Sequence, residues 1–174
     1  MKRIKLTRGF TALIDNEDYE KVKEYNWHIK DLKNGKKYAI THVRDFSVKS
    51  NKLKKLSMQN LIMPPPVGFL VDHKNLNPLD NRKSNLRICT TVENMRNKKK
   101  YKPLTASSKY KGVYKTRGEK KWRVRIQTGQ KRIFLGVFTN QKKAALAYDI
   151  AAIKHFGEFA FLNFPNRGGS DEFK

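Results

Sequence analysis

Residues 71–94 read VDHKNLNPLDNRKSNLRICTTVEN, and no other stretch restricts the possible fold as much. A short apolar run, FLV, ends in Asp72 and His73. A loop dense in Asn and Asp follows, and NLRI brings the chain back as a second strand with Asn85 near its start. TTVEN then opens a helix, with Thr90 as N-cap and Glu93 as third helical residue, the pattern of a capping box. The loop residues Asn75, Asn77, Asp80 and Asn81 are turn formers, expected to hydrogen-bond within their own loop. The local plan is strand, loop, strand, helix. Asp72 and His73 are neighbours on an extended chain, so they point to opposite sides and need a bend or an intervening ion to act together.

The remaining chain divides around this motif, which spans residues 67–100, and the whole reads as an α+β protein. Residues 1–66 mix strand-like runs (FTALID, WHIK, KYAITHV) with a helical segment in which Asp15 is the expected cap and Tyr19, Val22 and Tyr25 share a face. Asn34-Gly35 marks a turn, and KLKKLSMQNLIM passes from strand to short helix before three prolines. Residues 101–108 form a linker. In residues 109–165, YKGVYK, KWRVRIQT and KRIFLGVF are strands, and NQKKAALAYDIAAIKHFG is a helix. Asn140 caps that helix, Gly157 ends it, and Ala144, Ala147, Tyr148, Ala151 and Ala152 form a stripe small enough to lie close against a sheet. Residues 166–174 are a tail.

Function is first constrained by charge. Among 174 residues, 39 Lys and Arg face 15 Asp and Glu, a formal net charge of +24. An excess of that size calls for a polyanion. No long apolar run and no strongly hydrophobic basic helix favours a membrane, so the expected partner is nucleic acid. The N-terminus MKRIKLTRGF lacks the apolar core of a secretory signal, and one cysteine, Cys89, allows neither an internal disulfide framework nor a Cys-cluster zinc site. The expectation is a reducing cytoplasm, no structural zinc, and Cys89 as a small buried residue. His28, His42 and His155 lack an adjacent acid and read as structural or surface residues.

The central motif has the parts needed to cleave a phosphodiester. Asp72 offers a carboxylate and Asn94 an amide oxygen to a hard divalent cation, Mg2+ or another such as Mn2+. His73 can take a proton from water if its other ring nitrogen is held, and the Asn85 side-chain oxygen is a suitable holder. In residue types and spacing, DH, the N of NLR, and EN on the following helix resemble the HNH, or ββα-metal, nucleases. The resemblance implies Asp72 and Asn94 as metal ligands, His73 as general base and Asn85 as its orienting partner. The loop NPLDNRKSNLRI resembles homing-type members of phages. One departure stands upstream, where Gln59-Asn60 precedes LIM in place of the His-Arg of many relatives.

Residues 107–165 resemble the APETALA-two DNA-binding domain of plant ethylene-response factors through SSKYKGV, KWRVRI, FLGVF, AALAYDIAAIKHFG and LNFP. The resemblance implies a three-stranded antiparallel sheet on one helix, with the sheet in the major groove of double-stranded DNA. Alternation puts Arg123, Arg125 and Gln127 on one face and Trp122, Val124 and Ile126 on the other. Arg132 and Phe134 on the third strand, and Tyr114 and Thr116 on the first, are expected to share the reading face, with Lys111, Arg117 and Lys131 beside it. Tyr114, Thr116 and Gln127 replace residues that are often arginine in the plant proteins, and Arg125 replaces a common Glu. The plant recognition sequence therefore does not transfer. Together these readings give a site-specific DNA endonuclease of the HNH homing type in a bacterial or phage-infected cell. One site per chain implies a nicking monomer, and a double-strand break needs two chains or two events. The alternative is a DNA-binding regulator with a degenerate nuclease module.

Overall fold

The computed structural model describes residues 1–32, 35–44, 52–100 and 106–165. The expected Asn34 turn position, most of the linker and the 166–174 tail lie outside the described residues. The chain forms two compact units, Met1–Asn94 and Met95–Lys174. Both mix strands and helices, the expected α+β class.

The first unit begins with a hairpin of β1 (Lys2–Lys5) and β2 (Thr11–Ile14). The alternation of FTALID holds, since Ala12 and Ile14 are fully buried and Thr11 is exposed. A short helix, α1 (Tyr19–Lys23), buries Val22, while Tyr25 lies beyond its end and still packs on the core. Asp15 does not cap this segment with its side chain. Its Oδ2 instead accepts the backbone N–H of Lys83 at 2.7 Å, a long-range bond that local pattern could not show. Three antiparallel strands follow in the order β3 (His28–Asp31), β4 (Lys37–Arg44), β5 (Leu53–Ser57), then α2 (Met58–Ile62). Strand does pass directly into helix at Ser57, as read from KLKKLSMQNLIM. Ile14, Val22, Trp27, Ile29, Ala39, Met58, Ile62 and Leu86 form the core. Leu86 belongs to the central motif, so that motif is anchored in the same core as the N-terminal strands.

The second unit is a sheet of β8 (Val113–Tyr114), β9 (Trp122–Thr128) and β10 (Lys131–Phe138), antiparallel in the order β10-β9-β8, packed on α4 (Gln141–Phe156). Between α2 and β8 in the chain, β6 (Leu70–His73), β7 (Leu86–Cys89) and α3 (Thr91–Arg96) form the central motif. Val113, Val124 and Ile126 face Ala144, Ala145, Tyr148, Ala151 and Ala152. Ala145, rather than the expected Ala147, completes the buried small-residue stripe. Asn140 caps α4 as expected, its Oδ1 accepting from Lys142 N (2.8 Å) and Lys143 N (3.2 Å). The unit is closed end to end by Asn163. Its Oδ1 accepts from Lys111 N at 2.7 Å, its Nδ2 donates to Lys111 O and Asp149 Oδ1, and its own N–H donates to Asp149 Oδ1.

Close approach of helix and sheet depends on Gly112, which has φ +78°. A Cβ there would stand 1.9 Å from Tyr148 Cδ2 and 2.8 Å from Arg125 O. Gly118, at φ +83° in the β8–β9 turn, would meet nothing within 4 Å. Gly112→Ala is therefore expected to destabilise the unit by about 2–4 kcal/mol, combining steric overlap with backbone strain. Gly118→Ala should cost about 1 kcal/mol, from strain alone. Urea denaturation of the two variants measures the difference, and equal midpoints would contradict this packing.

Candidate functional site: a ββα motif and a basic sheet

The central motif is β6 (Leu70–His73) paired antiparallel with β7 (Leu86–Cys89), followed by α3 (Thr91–Arg96). The expected strand–loop–strand–helix plan is present. The capping box also forms, with Thr90 N donating to Glu93 Oε2 at 2.7 Å and Glu93 N to Thr90 Oγ1 at 3.2 Å. Register places Asp72 opposite Arg87 and His73 opposite Leu86. The two candidate residues thus lie on opposite faces of the ribbon, as pleating requires. The face of Asp72 also carries Cys89, which is buried as expected. Asn94 N donates to Thr90 O at 3.0 Å in the first turn of α3, the helix that follows β7 directly. Burial raises the Cys89 thiol above its ordinary pKa, with the Asp72 charge adding to the effect.

His73 is 5% exposed, and its Nε2 lies 3.1 Å from Asn81 Oδ1. The expectation that Asn85 holds this imidazole is corrected here. Asn85 Oδ1 accepts from Asn75 N at 3.0 Å, and its Nδ2 donates to Asp80 O at 2.7 Å, so it braces the loop. Asn81, read from sequence as a turn former, is fully buried, and its Nδ2 contacts Met58 Sδ and Pro78 O. Because an amide oxygen only accepts, His73 Nε2 carries the proton and the lone pair resides on Nδ1. Burial pushes the His73 pKa below the ordinary value, opposed by the Asn81 hydrogen bond and the Asp72 charge. The neutral imidazole, the form that can accept a proton, is thereby favoured. Tyr38 meets the ring edge-on, with centroids 6.2 Å apart.

The loop itself is held from both sides. Asn75 Oδ1 accepts Asn77 N and Asn77 Oδ1 accepts Leu79 N, as turn chemistry predicts. Asp80 is clamped by Arg82 Nε and Nη2, both at 2.7 Å, which holds its carboxyl below the usual range. Strand β2 then pins the backbone: Leu13 N donates to Leu79 O at 2.7 Å and Asn81 N to Leu13 O at 2.8 Å. Asn81 therefore owes its place to a strand far upstream, and no local signal could have singled it out from the other amides.

Asp72 is 7% exposed and receives Arg87 Nε at 3.1 Å and Nη2 at 2.8 Å, both on Oδ2. Arg87 was missed by sequence reasoning; its signal was the R of NLR, legible only once register is known. Among the described residues no group of three or more His, Cys, Asp or Glu could hold a metal ion. One carboxylate and an amide oxygen fit a hard cation that keeps its waters and shares a phosphate oxygen.

In the second unit the alternation holds. Val124 and Ile126 are buried, while Arg125, Gln127, Arg132 and Phe134 are exposed. Arg125 stacks on Tyr114 with its guanidinium 4.7 Å from the ring centroid, and Arg132 Nε donates to Gln127 Oε1 at 3.1 Å. Arg123, on the same face, is tied to Glu119 by Nε (2.9 Å) and Nη2 (2.6 Å). Lys131 is exposed on β10, and Arg117 is exposed in the turn after β8. Thr116 also lies in that turn, because β8 has only two residues. Lys111 differs from expectation. Its Nζ donates to Arg96 O (2.7 Å) and Lys98 O (2.9 Å), and burial pushes its pKa down to about 8. Its ammonium binds the chain's own carbonyls instead of standing on the reading face.

Replacing Asn81 by Ala should release His73 from a single tautomer. Long-range 1H–15N correlation spectra of the parent should show the Nε2–H form, and Asn81→Ala a mixture. Asn85→Ala should cost about 1–3 kcal/mol of stability by stranding buried loop groups. An unchanged imidazole spectrum in Asn81→Ala would remove Asn81 from this role.

Comparison with known proteins agrees with the two-part reading. Residues 64–96 match the family model of HNH endonucleases. Relatives include the AP2-like ethylene-responsive transcription factor At1g16060 of Arabidopsis thaliana, 46% identical over 59 residues, covering 33% of this chain and 17% of that protein. Ethylene-responsive transcription factor ERF024 of Arabidopsis thaliana is 44% identical over 59 residues, 33% of this chain and 32% of that protein. The AP2/ERF and B3 domain-containing protein Os01g0141000 of Oryza sativa subsp. japonica is 39% identical over 64 residues, 37% of this chain and 17% of that protein. The chain spans less than a third of the length of each of these relatives. The matches support an HNH endonuclease-type module and an AP2/ERF-like module in one chain.

Proposed function

We propose that the protein is a metal-dependent DNA endonuclease that binds duplex DNA through the β8–β10 sheet and hydrolyses one phosphodiester at the ββα motif. The reading rests on a buried His73 held by Asn81 beside Asp72, within a segment that matches the HNH endonuclease model. Asp72 and Asn94 would hold a divalent cation, Mg2+ or Mn2+, which when bound neutralises phosphate charge and stabilises the leaving oxygen. His73 Nδ1 accepts the proton of the attacking water, and Asn81 keeps Nε2 protonated throughout. Attack at phosphorus with departure of the 3′ oxygen gives a 5′-phosphate and a 3′-hydroxyl. One such site per chain makes a nick in one strand, and the resemblance to phage homing enzymes extends the proposal to a site-specific target. No helix among the described residues is long and apolar enough to cross a membrane.

The sheet supplies affinity. A β-ribbon fits the major groove, and its exposed face carries Arg125, Arg132 and Phe134, with Lys131 exposed at the start of β10. Arg125 and Arg132 can each read a guanine, at about 1–3 kcal/mol per good bidentate pair.

Nicking of duplex DNA by the purified protein in Mg2+ is the direct test. His73→Ala should cut the rate by roughly 10²–10⁴-fold with DNA affinity retained. Asp72→Ala or excess EDTA should abolish cleavage while the sheet still holds DNA, at an affinity lower only by the metal's contribution. Full activity in EDTA would exclude the metal-dependent scheme, and binding without any cleavage would favour a regulator.

The salt dependence of binding separates the sheet's cations. Lys111 and Arg123 are engaged within the protein, so about four to six phosphates should be contacted, giving a slope of log K against log salt of about −4 to −5. Lys131→Ala should flatten that slope by about one and weaken all sequences alike. Arg132→Ala should relax preference at one base position.

A further inference from the structure

The carboxylate assigned to the metal is already neutralised by the protein. Asp72 and Arg87 are cross-strand partners, 7% and 8% exposed, with two guanidinium nitrogens on one carboxylate oxygen. Their positions are set by the β6–β7 register and not by flexible surface side chains. Asp80, the acid of the loop, is clamped by Arg82 through both carboxylate oxygens. Of the remaining side chains at the site, Asn81, Asn85, Asn94 and neutral His73 carry no charge, and Glu93 is engaged by the Thr90 cap of α3. A divalent cation approaching the free protein therefore meets an Asp72 carboxylate already paired with a guanidinium, in a chain of net charge +24. Isolated cations bind well where carboxylates outnumber nearby cations, and here they do not. A DNA phosphate would bring the missing negative charge and additional oxygen ligands.

We propose that Arg87 is a positioning residue that keeps the metal off the free protein, so that metal and duplex DNA bind as a coupled pair. This rests on the metal-dependent reading above and adds to it a control: the site becomes loaded only on a nucleic acid. Coupling of this kind is reciprocal, so DNA should tighten metal binding and metal should tighten DNA binding by the same factor. Arg87 sets the size of that factor, because its charge opposes the cation when DNA is absent and is offset by phosphate when DNA is present. The same guanidinium holds the Asp72 carboxylate in one orientation.

The test measures Mn2+ affinity by electron paramagnetic resonance of free Mn2+, which needs no turnover. All samples carry His73→Ala so that bound duplex stays intact. Without DNA, the protein with native Arg87 should bind Mn2+ weakly. A duplex recovered from a random pool by selection with this protein should tighten it by about ten-fold or more. Arg87→Gln, which keeps length and polarity without charge, should tighten Mn2+ binding to the DNA-free protein by about ten-fold and shrink the coupling. Arg87→Lys keeps the charge and should leave DNA-free binding weak. Should Arg87→Gln fail to fold, the protein with native Arg87 still decides: equal Mn2+ affinity with and without DNA overturns the coupling. If Mn2+ binds the DNA complex but Arg87→Gln gains nothing without DNA, the role of Arg87 is wrong and the metal-dependent reading stands. If no Mn2+ binds even with DNA, that reading fails and this inference falls with it.

Discussion

A single buried hydrogen bond, from the His73 imidazole to the Asn81 amide oxygen, organises the candidate nuclease site. A neutral imidazole has two tautomers of similar energy, and only one leaves its lone pair on Nδ1. Fixing the choice requires an acceptor held rigidly at one ring nitrogen, in surroundings dry enough for the bond to count. Asn81 meets both conditions because it is fully buried and held at its backbone by Leu13. Asn85 acts one step back, tying Asn75 to Asp80 across the loop. The hairpin at the N-terminus is thus part of the site without contributing a reacting group. It positions a loop, the loop positions an amide, and the amide positions the imidazole.

The same motif shows two different uses of charge. On the loop, the partly exposed Arg82 clamps the buried Asp80 carboxylate through both oxygens, and the pair shapes the turn. In the ribbon, Arg87 holds Asp72 in the interior, where removing either partner would leave a charge without compensation. A chain with such a cationic excess has few acids to spend, and the motif places two of them against arginines. That arrangement suits a protein whose negative charge arrives with its substrate.

Much of this was legible in the sequence, for reasons that differ between elements. Helix α4 was readable because its cap, its small-residue stripe and its terminal glycine are all local. The Thr90–Glu93 box was readable for the same reason, and period-two alternation gave the two faces of β9. Asp15 misled because an aspartate before a helix has two possible acceptors' roles, and the backbone of Lys83 is distant in sequence. The Asn-rich loop misled in the same way. Asn75, Asn77, Asn81 and Asn85 share chemistry, and only tertiary register decides which of them meets His73. Thr116 fell outside its strand because β8 ends after two residues, ahead of the turn around Gly118.

On the proposed reading, the two units divide the work with opposite surface chemistry. The ββα motif hides its reacting groups, with His73, Asp72, Asn81 and Asn85 each at most 7% exposed. Burial there sets protonation and orientation. The sheet of the second unit does the reverse and leaves Arg125, Arg132 and Phe134 exposed on one face. Exposure there suits a long-range attraction that must find a groove before any base is read. A buried catalytic cluster binds a polyanion poorly by itself, and an exposed basic sheet has no means to activate water. Joining them in one chain makes binding at one unit raise the effective concentration of DNA at the other, by tethering alone. On that reading the cationic excess need not sit at the cleavage site. The sheet can carry the affinity, and the ββα motif is left free to arrange its few charges for chemistry.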